Sequence, residues 1–232
     1  MTSLPPPLLE FLVAPYRLSG VVYGTLLNHQ PALQALGDAI NAAPYKAGPR
    51  APVLYLKPRN TLSCNGATIA VPADAPELEI GAALGIVIGQ AACRVSPEQA
   101  LQYVAGYTIV GDISVPHDVF YRPSIRFKAR DGFCPIGPTV VPRTSITHPD
   151  DLTVRVFVDG ELKQQTTTGQ RVRPVAQLLA DVTEFMTLLP GDVLMLGISA
   201  DAPRVRAGQQ SRIVIDGVGE LVNHFSSEGH TV

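Results

Sequence analysis

Cysteines, clustered histidines and charges of either sign are all scarce in this sequence, and each shortage closes off a class of function. The three cysteines, Cys64, Cys93 and Cys134, are too few and too widely spaced for a disulfide framework or a zinc site. They are expected to be reduced thiols, most of them buried. The five histidines, His29, His117, His148, His224 and His230, include no pair at metal-ligand spacing. No serine sits in a G-x-S-x-G elbow, and the glycines form neither a Walker loop nor a dinucleotide fingerprint. Charged residues make up 16% of the chain and the formal net charge is −2. Lysines and arginines are scattered singly, so there is no basic stripe for a phosphate backbone, and nucleic acid is not an expected partner. No run approaches the ~20 apolar residues of a membrane span. Residues 1–18 lack a basic n-region and are broken by prolines, unlike a signal peptide. No membrane association is expected, and the location expected is cytoplasmic.

What the sequence does have is apolar material and turns. Hydrophobic residues are 46% of its 232 positions, enough for a packed core, and 21 prolines with 20 glycines favour short strands joined by turns over long helices. Residues 1–20 read as a Pro-rich arm and residues 21–232 as one domain, α+β but mainly β. Strands are expected over 20–27, 53–56, 84–88, 105–110, 152–158, 193–196, 212–215 and 220–222. Asp159-Gly160 and Asp216-Gly217 mark hairpin turns. Helical spacing appears over 31–43 and 175–187. A third helix is expected from Ser96 as N-cap, with Pro97 and Glu98 in its first turn.

Spacing alone offers little chemistry. Glu77 and Glu79 alternate, so a continuous strand would put both carboxylates on one face, where a third carboxylate would complete a site for a hard cation. The competing reading is a solvated acidic turn after Pro72-Ala73-Asp74-Ala75-Pro76. Lys57, Arg59, Arg122, Lys128 and Arg130 suit anionic ligands, arginine through its bidentate fork, although each alone is commonly a surface charge.

A set of longer motifs is more specific. KPRNT at 57–61, YVAGYTIVGDIS at 103–114, FYRPSIRFKARDGFCPIGP at 120–138, VDGELKQQTTT at 158–168, EFMTLLPGDVLMLG at 184–197 and DGVGELVN at 216–223 resemble, in order, the fumarylacetoacetate hydrolase family. The FYRP…RDG…PIG stretch is similar to the family's isomerase/decarboxylase branch of aromatic-acid catabolism. Asn28-His29 and the APYK loop at 43–46 resemble the first half, or first subunit, of such enzymes. The resemblance implies a mixed β-roll of the family's C-terminal-domain type with a few short helices. It implies a Mg²⁺ or Mn²⁺ ion held by an E-x-E pair and an Asp, and a 2-oxo dicarboxylate as ligand. The partner implied is a second copy or a homologous subunit with complete metal ligands.

Carried over residue by residue, the pattern breaks at the site. The run Ile86-Val87-Ile88-Gly89 sets the register and puts the E-x-E positions on Gly81 and Ala83. Asp112 matches the third ligand. The H-x-x-E base positions fall on Ala32 and Ala35, an Arg and an Asp are replaced by Pro116 and His117, and a G-T-P loop reads Gly197-Ile198-Ser199. Lys128 is retained as the catalytic candidate, and Lys57, Arg59, Tyr121 and Arg122 as substrate-binding candidates. Glu77 and Glu79 lie four residues upstream of the lost pair, about 13 Å along a strand. The expectation is a cation site reduced to Asp112, with no metal bound in this chain unless the chain folds back to bring Glu77 and Glu79 to it.

Overall fold

The computed structural model describes residues 18–117 and 124–229. It contains thirteen strands: β1 (Val22–Leu26), β2 (Val53–Lys57), β3 (Leu62–Cys64), β4 (Thr68–Val71), β5 (Leu78–Ile88), β6 (Val104–Ser114), β7 (Cys134–Pro142), β8 (Thr153–Val158), β9 (Glu161–Thr167), β10 (Val193–Met195), β11 (Arg204–Val205), β12 (Gln210–Ile215) and β13 (Gly219–Ser227). Four short helices join them: α1 (Gln30–Ala35), α2 (Pro97–Ala100), α3 (Ile125–Lys128) and α4 (Val175–Phe185). The mainly β expectation is met. The arm at residues 1–17 and the candidates Tyr121 and Arg122 lie outside the described residues.

Eight strands form one mixed sheet in the order β2-β1-β10-β5-β6-β7-β3, with β11 added to β5. Five form a second sheet in the order β4-β13-β12-β8-β9. Alternation along β5 shows why the first sheet is central. Its even positions, Leu78, Ile80, Ala82, Leu84, Ile86 and Ile88, join the main core with Val156 of β8, Ile213 of β12 and Phe225 of β13. Its odd positions Ala83 and Val87 face a second apolar cluster with Val22, Val110, Ile136, Val193 and Met195. A strand buried on both faces reads as a continuous apolar run, as residues 84–88 do. Each such side chain contributes about 1.5–3 kcal/mol.

Several expected boundaries move. β5 starts at Leu78 and β6 runs on through Asp112 to Ser114, because cross-strand pairing extends both beyond their most apolar stretches. The helix expected over 31–43 is α1 followed by a 3₁₀ turn, Gly37–Asn41, the break falling at Gly37 with φ +47°. Ser96 precedes α2 but makes no side-chain cap bond. The Asp159-Gly160 turn has both residues at positive φ, the geometry of a tight hairpin. Only Cys134 of the three free cysteines is buried; Cys64 and Cys93 are exposed. Among the described residues no helix is long and apolar enough to cross a membrane.

Candidate functional site

Asp112 sits near the end of β6, directly opposite Gly81 of β5, and Ala83 faces Val110 two pairs further on. Gly81, the first position expected for the paired acids, thus faces Asp112 across the sheet. An acidic side chain at 81 would lie across the strand from Asp112. Glycine cannot supply a ligand there, and the space is taken. A Cβ on Gly81 would stand 2.7 Å from Ile198 Cγ2 and 2.9 Å from the Asp112 carbonyl oxygen. Ile198 packs with Ala83, Val110 and Met195 in the second apolar cluster, so the loop after β10 fills the space beside Gly81.

Both oxygens of the Asp112 carboxylate face cations, although Oδ1 accepts no hydrogen bond. Its Oδ1 pairs with Lys57 Nζ at 2.8 Å, and its Oδ2 with Lys128 Nζ at 2.6 Å. Tyr55 donates its hydroxyl to Oδ2 at 2.5 Å. Tyr55 reaches it because Gly24 lies opposite on β1, where any side chain would collide with the phenol ring. Burial alone would raise the Asp112 pKa, but Lys128 and then Lys57 overcome it and hold the carboxyl well below its usual range. Burial also pushes the Lys57 ammonium down, with Asp112 opposing. Burial pushes the Tyr55 hydroxyl well up, and Asp112 adds to it. Burial likewise takes the neighbouring Cys134 thiol up to about 12, leaving it unreactive.

Lys57 also donates to the carbonyls of Ile113, Lys128 and Phe133, each at 2.9 Å. An ammonium has three protons, so none remains for a ligand. Lys57 thus fastens β2 to β6 and to the loop before β7. Arg59 is exposed and lies against Gly20. Lys128, on α3, does border a cleft of about 400 Å³. Glu79, Ser114, His117, Arg204, Ala32 and Ile198 line the same cleft. His117 stacks on Phe127 with ring centroids 4.8 Å apart and hydrogen-bonds the Val115 carbonyl through Nδ1 at 2.9 Å.

Glu77 and Glu79 do not fold back to Asp112. Glu77 precedes β5 and forms ion pairs with Arg206 and Arg204. Glu79 opposes Ser114 on the cleft wall. Burial raises the Glu79 pKa, with His117, Arg204 and Lys128 pulling the other way. No group of three His, Cys, Asp or Glu side chains placed to hold a metal ion occurs among the described residues. The donor set does not fit the divalent ion the resemblance implies. One carboxylate faces two ammonium groups, and the two further oxygen positions are a glycine and an alanine.

Sequence reasoning missed a second constellation at the other end of the cleft. Asn28 donates to the carbonyls of Arg173 at 3.0 Å and Leu196 at 2.8 Å, and its Oδ1 accepts from the Arg173 amide at 2.8 Å. This rivet aligns His29 with Arg171 in an isolated antiparallel bridge. Arg171 is only 4% exposed. Its terminal nitrogens reach Ser199 Oγ at 3.5 and 3.4 Å, and its Nε has no partner. Burial pulls its pKa down to about 10. His29 accepts from the Ala200 amide through Nδ1 at 3.1 Å, so the neutral ring carries its proton on Nε2, which is buried without a hydrogen-bond partner. Burial and then Arg171 lower its pKa, against weaker raising effects of Gln170 and Asp201. His29 stood inside a quoted motif, whereas nothing local marks Arg171.

The family model Fumarylacetoacetate (FAA) hydrolase C-terminal matches residues 21–226. The chain is 37% identical over 211 residues to the 4-hydroxyphenylacetate degradation bifunctional isomerase/decarboxylase of Escherichia coli, covering 91% of this chain and 48% of that protein. It thus spans about half the length of the first curated relatives it matches. Among solved structures, it is similar to 5-carboxymethyl-2-hydroxymuconate delta-isomerase from Mycobacterium smegmatis, with a TM-score of 0.77 and 29% identity over 91% of this chain and 80% of that one. It is also similar to fumarylpyruvate hydrolase from Pseudomonas aeruginosa in complex with Mn²⁺ and pyruvate, with a TM-score of 0.78 and 26% identity over 92% and 91% of the two chains.

Proposed function

This chain belongs to the fumarylacetoacetate hydrolase family, and on that premise we propose that it is a subunit of an isomerase/decarboxylase of 4-hydroxyphenylacetate (homoprotocatechuate) catabolism whose own cation centre is silenced. The assembly would act on 5-carboxymethyl-2-oxo-hex-3-ene-1,6-dioate and 2-hydroxyhepta-2,4-diene-1,7-dioate. This chain would supply fold, interface and a ligand cleft, as a homodimer or beside a homologous subunit with complete metal ligands. One observation carries the reading: Asp112 is spent on Lys57, Lys128 and Tyr55 while Ile198 occupies the place opposite it.

The physical reason is electrostatic. Family chemistry uses a divalent ion to stabilise the enolate that forms when CO₂ leaves or a proton moves. Such an ion needs several oxygen ligands at about 2.0–2.6 Å. Here it would meet one carboxylate already neutralised, with two ammonium groups close by. At an effective dielectric of ~20, each unit like-charge pair at ~4 Å costs about 4 kcal/mol, and a dication doubles that.

The test is Mn²⁺ titration followed by electron paramagnetic resonance, run with decarboxylation of the carboxymethyl-oxo-hexenedioate. The chain is assayed alone and mixed with a ligand-complete homologous subunit. The expected result is no saturable Mn²⁺ binding and no turnover alone, with turnover appearing only in the mixture. Mn²⁺-dependent turnover by the isolated chain that is abolished in Asp112→Asn would overturn the proposal.

A further inference from the structure

Arg171 presents the problem opposite to that of Asp112. A guanidinium carries five N–H donors in a fixed plane and stays charged at any physiological pH. This one is 4% exposed. Among the described residues it has no acidic partner, only one hydroxyl oxygen lying at 3.4 and 3.5 Å from its two terminal nitrogens. A charge-assisted bond to a carboxylate is ~2.7–2.9 Å, so these contacts are long, and Ser199 Oγ sits between the two tines where two oxygens would fit. Ser199 is itself a wall of the cleft, together with His29, Ala200 and Asp201. Its hydroxyl is shared with Thr166 Oγ1 at 3.1 Å.

The His29 ring has the same imbalance. Its Nδ1 is engaged by the Ala200 amide, and its Nε2 is buried without a hydrogen-bond partner. The backbone bridge between His29 and Arg171 keeps the two side chains' anchors together. Arg171 Nε and His29 Nε2, both buried without a hydrogen bond of good geometry and next to a cleft that His29 and Ser199 line, are donors an incoming anion would satisfy.

We propose that Arg171, with His29 and Ser199, forms a metal-independent seat for one carboxylate of a small organic acid bound in the cleft. The carboxylate takes the position of the Ser199 hydroxyl across the guanidinium fork, and the hydroxyl turns to Thr166. Planar bidentate recognition selects carboxylates over halides and over neutral ligands. The inference rests on the cleft being this family member's ligand site, but not on the fate of the cation. The Mn²⁺ titration above and the titration below therefore fail separately.

Glutarate is the probe, titrated calorimetrically into the full chain in excess EDTA. Saturable binding is expected, weakened at least about tenfold in Arg171→Met. Arg171→Lys should fall between the two, because it keeps the charge and loses the fork. Arg171→Met should melt at or above the wild-type temperature without ligand, which establishes that its fold is intact. Three results would overturn the proposal: no saturable binding by the wild type; glutarate affinity in folded Arg171→Met within about twofold of wild type; or a marked drop in the ligand-free melting temperature of Arg171→Met, which would make the guanidinium a structural strut.

Discussion

Two buried charges behind the cleft walls, Asp112 and Arg171, are treated in opposite ways. The Asp112 carboxylate, with no exposed surface, is met by two lysines and a phenol. Beside the wall formed by His29 and Ser199, the Arg171 guanidinium is also buried and, among the described residues, is met by a single hydroxyl. Burying an ion without a partner costs several kcal/mol, so a fold keeps such a group only if something offsets that cost. The acid has its partners within the chain and acts as a structural element. The base has no acidic partner among the described residues, and that imbalance is what the proposed anion seat answers.

The largest expected break of this contrast is Asp112→Ala. It strands two buried ammonium groups and should lose about 3–5 kcal/mol in urea unfolding, since removing one member of a buried pair leaves an uncompensated charge. A loss under about 1 kcal/mol would show the cluster to be dispensable. The same contribution can be titrated. The Asp112 pKa is depressed on folding, so its stabilisation is present above the unfolded carboxylate value and is lost as pH falls through the folded one. Wild-type stability should therefore drop steeply below about pH 4, by no more than the mutation costs. Unfolding midpoints from pH 6 to 2 check this, and the slope should flatten in Asp112→Ala.

Gly81→Glu comes next. The new side chain meets Ile198 and backbone at under 3.0 Å, and such overpacking costs about 1–3 kcal/mol. Ile198→Ala in the same chain should recover part of it, which a double-mutant cycle would show as a coupling above about 0.5 kcal/mol. Smallest, and opposite in sign, is Arg171→Met in the ligand-free chain. Replacing a lone buried charge with an apolar side chain of similar length should stabilise it by on the order of 1 kcal/mol, measured by the same urea unfolding.

Much of the Asp112 end was legible in the sequence. The glycine after Ile86-Val87-Ile88 set the parity of β5, and the observed pairing of Gly81 with Asp112 follows from it. The strand period of two carries that information locally. What surrounds Asp112 was less legible. Lys57 reads as a free base in sequence, yet its acceptors lie 56, 71 and 76 residues away on other elements. Glu77 reads as half of a ligand pair, yet Arg204 and Arg206 arrive from more than 120 residues downstream to hold it. Arg171 is the extreme case. It is distinguished by the absence of an acid nearby among the described residues, and no pattern of neighbours in the chain encodes an absence.

The cleft's walls differ in how firmly they are held. Asn28 ties the end of β1 to residues 173 and 196, so the floor beneath His29 is anchored to distant parts of the chain. Immediately after it, α1 and the 3₁₀ turn at Gly37–Asn41 bury no residue at all. Segments with so little covered apolar surface open at low free energy. A solute approaching from the side of Ala32 and Leu36 therefore meets a rampart that yields cheaply, while the bedrock it must settle on keeps its shape.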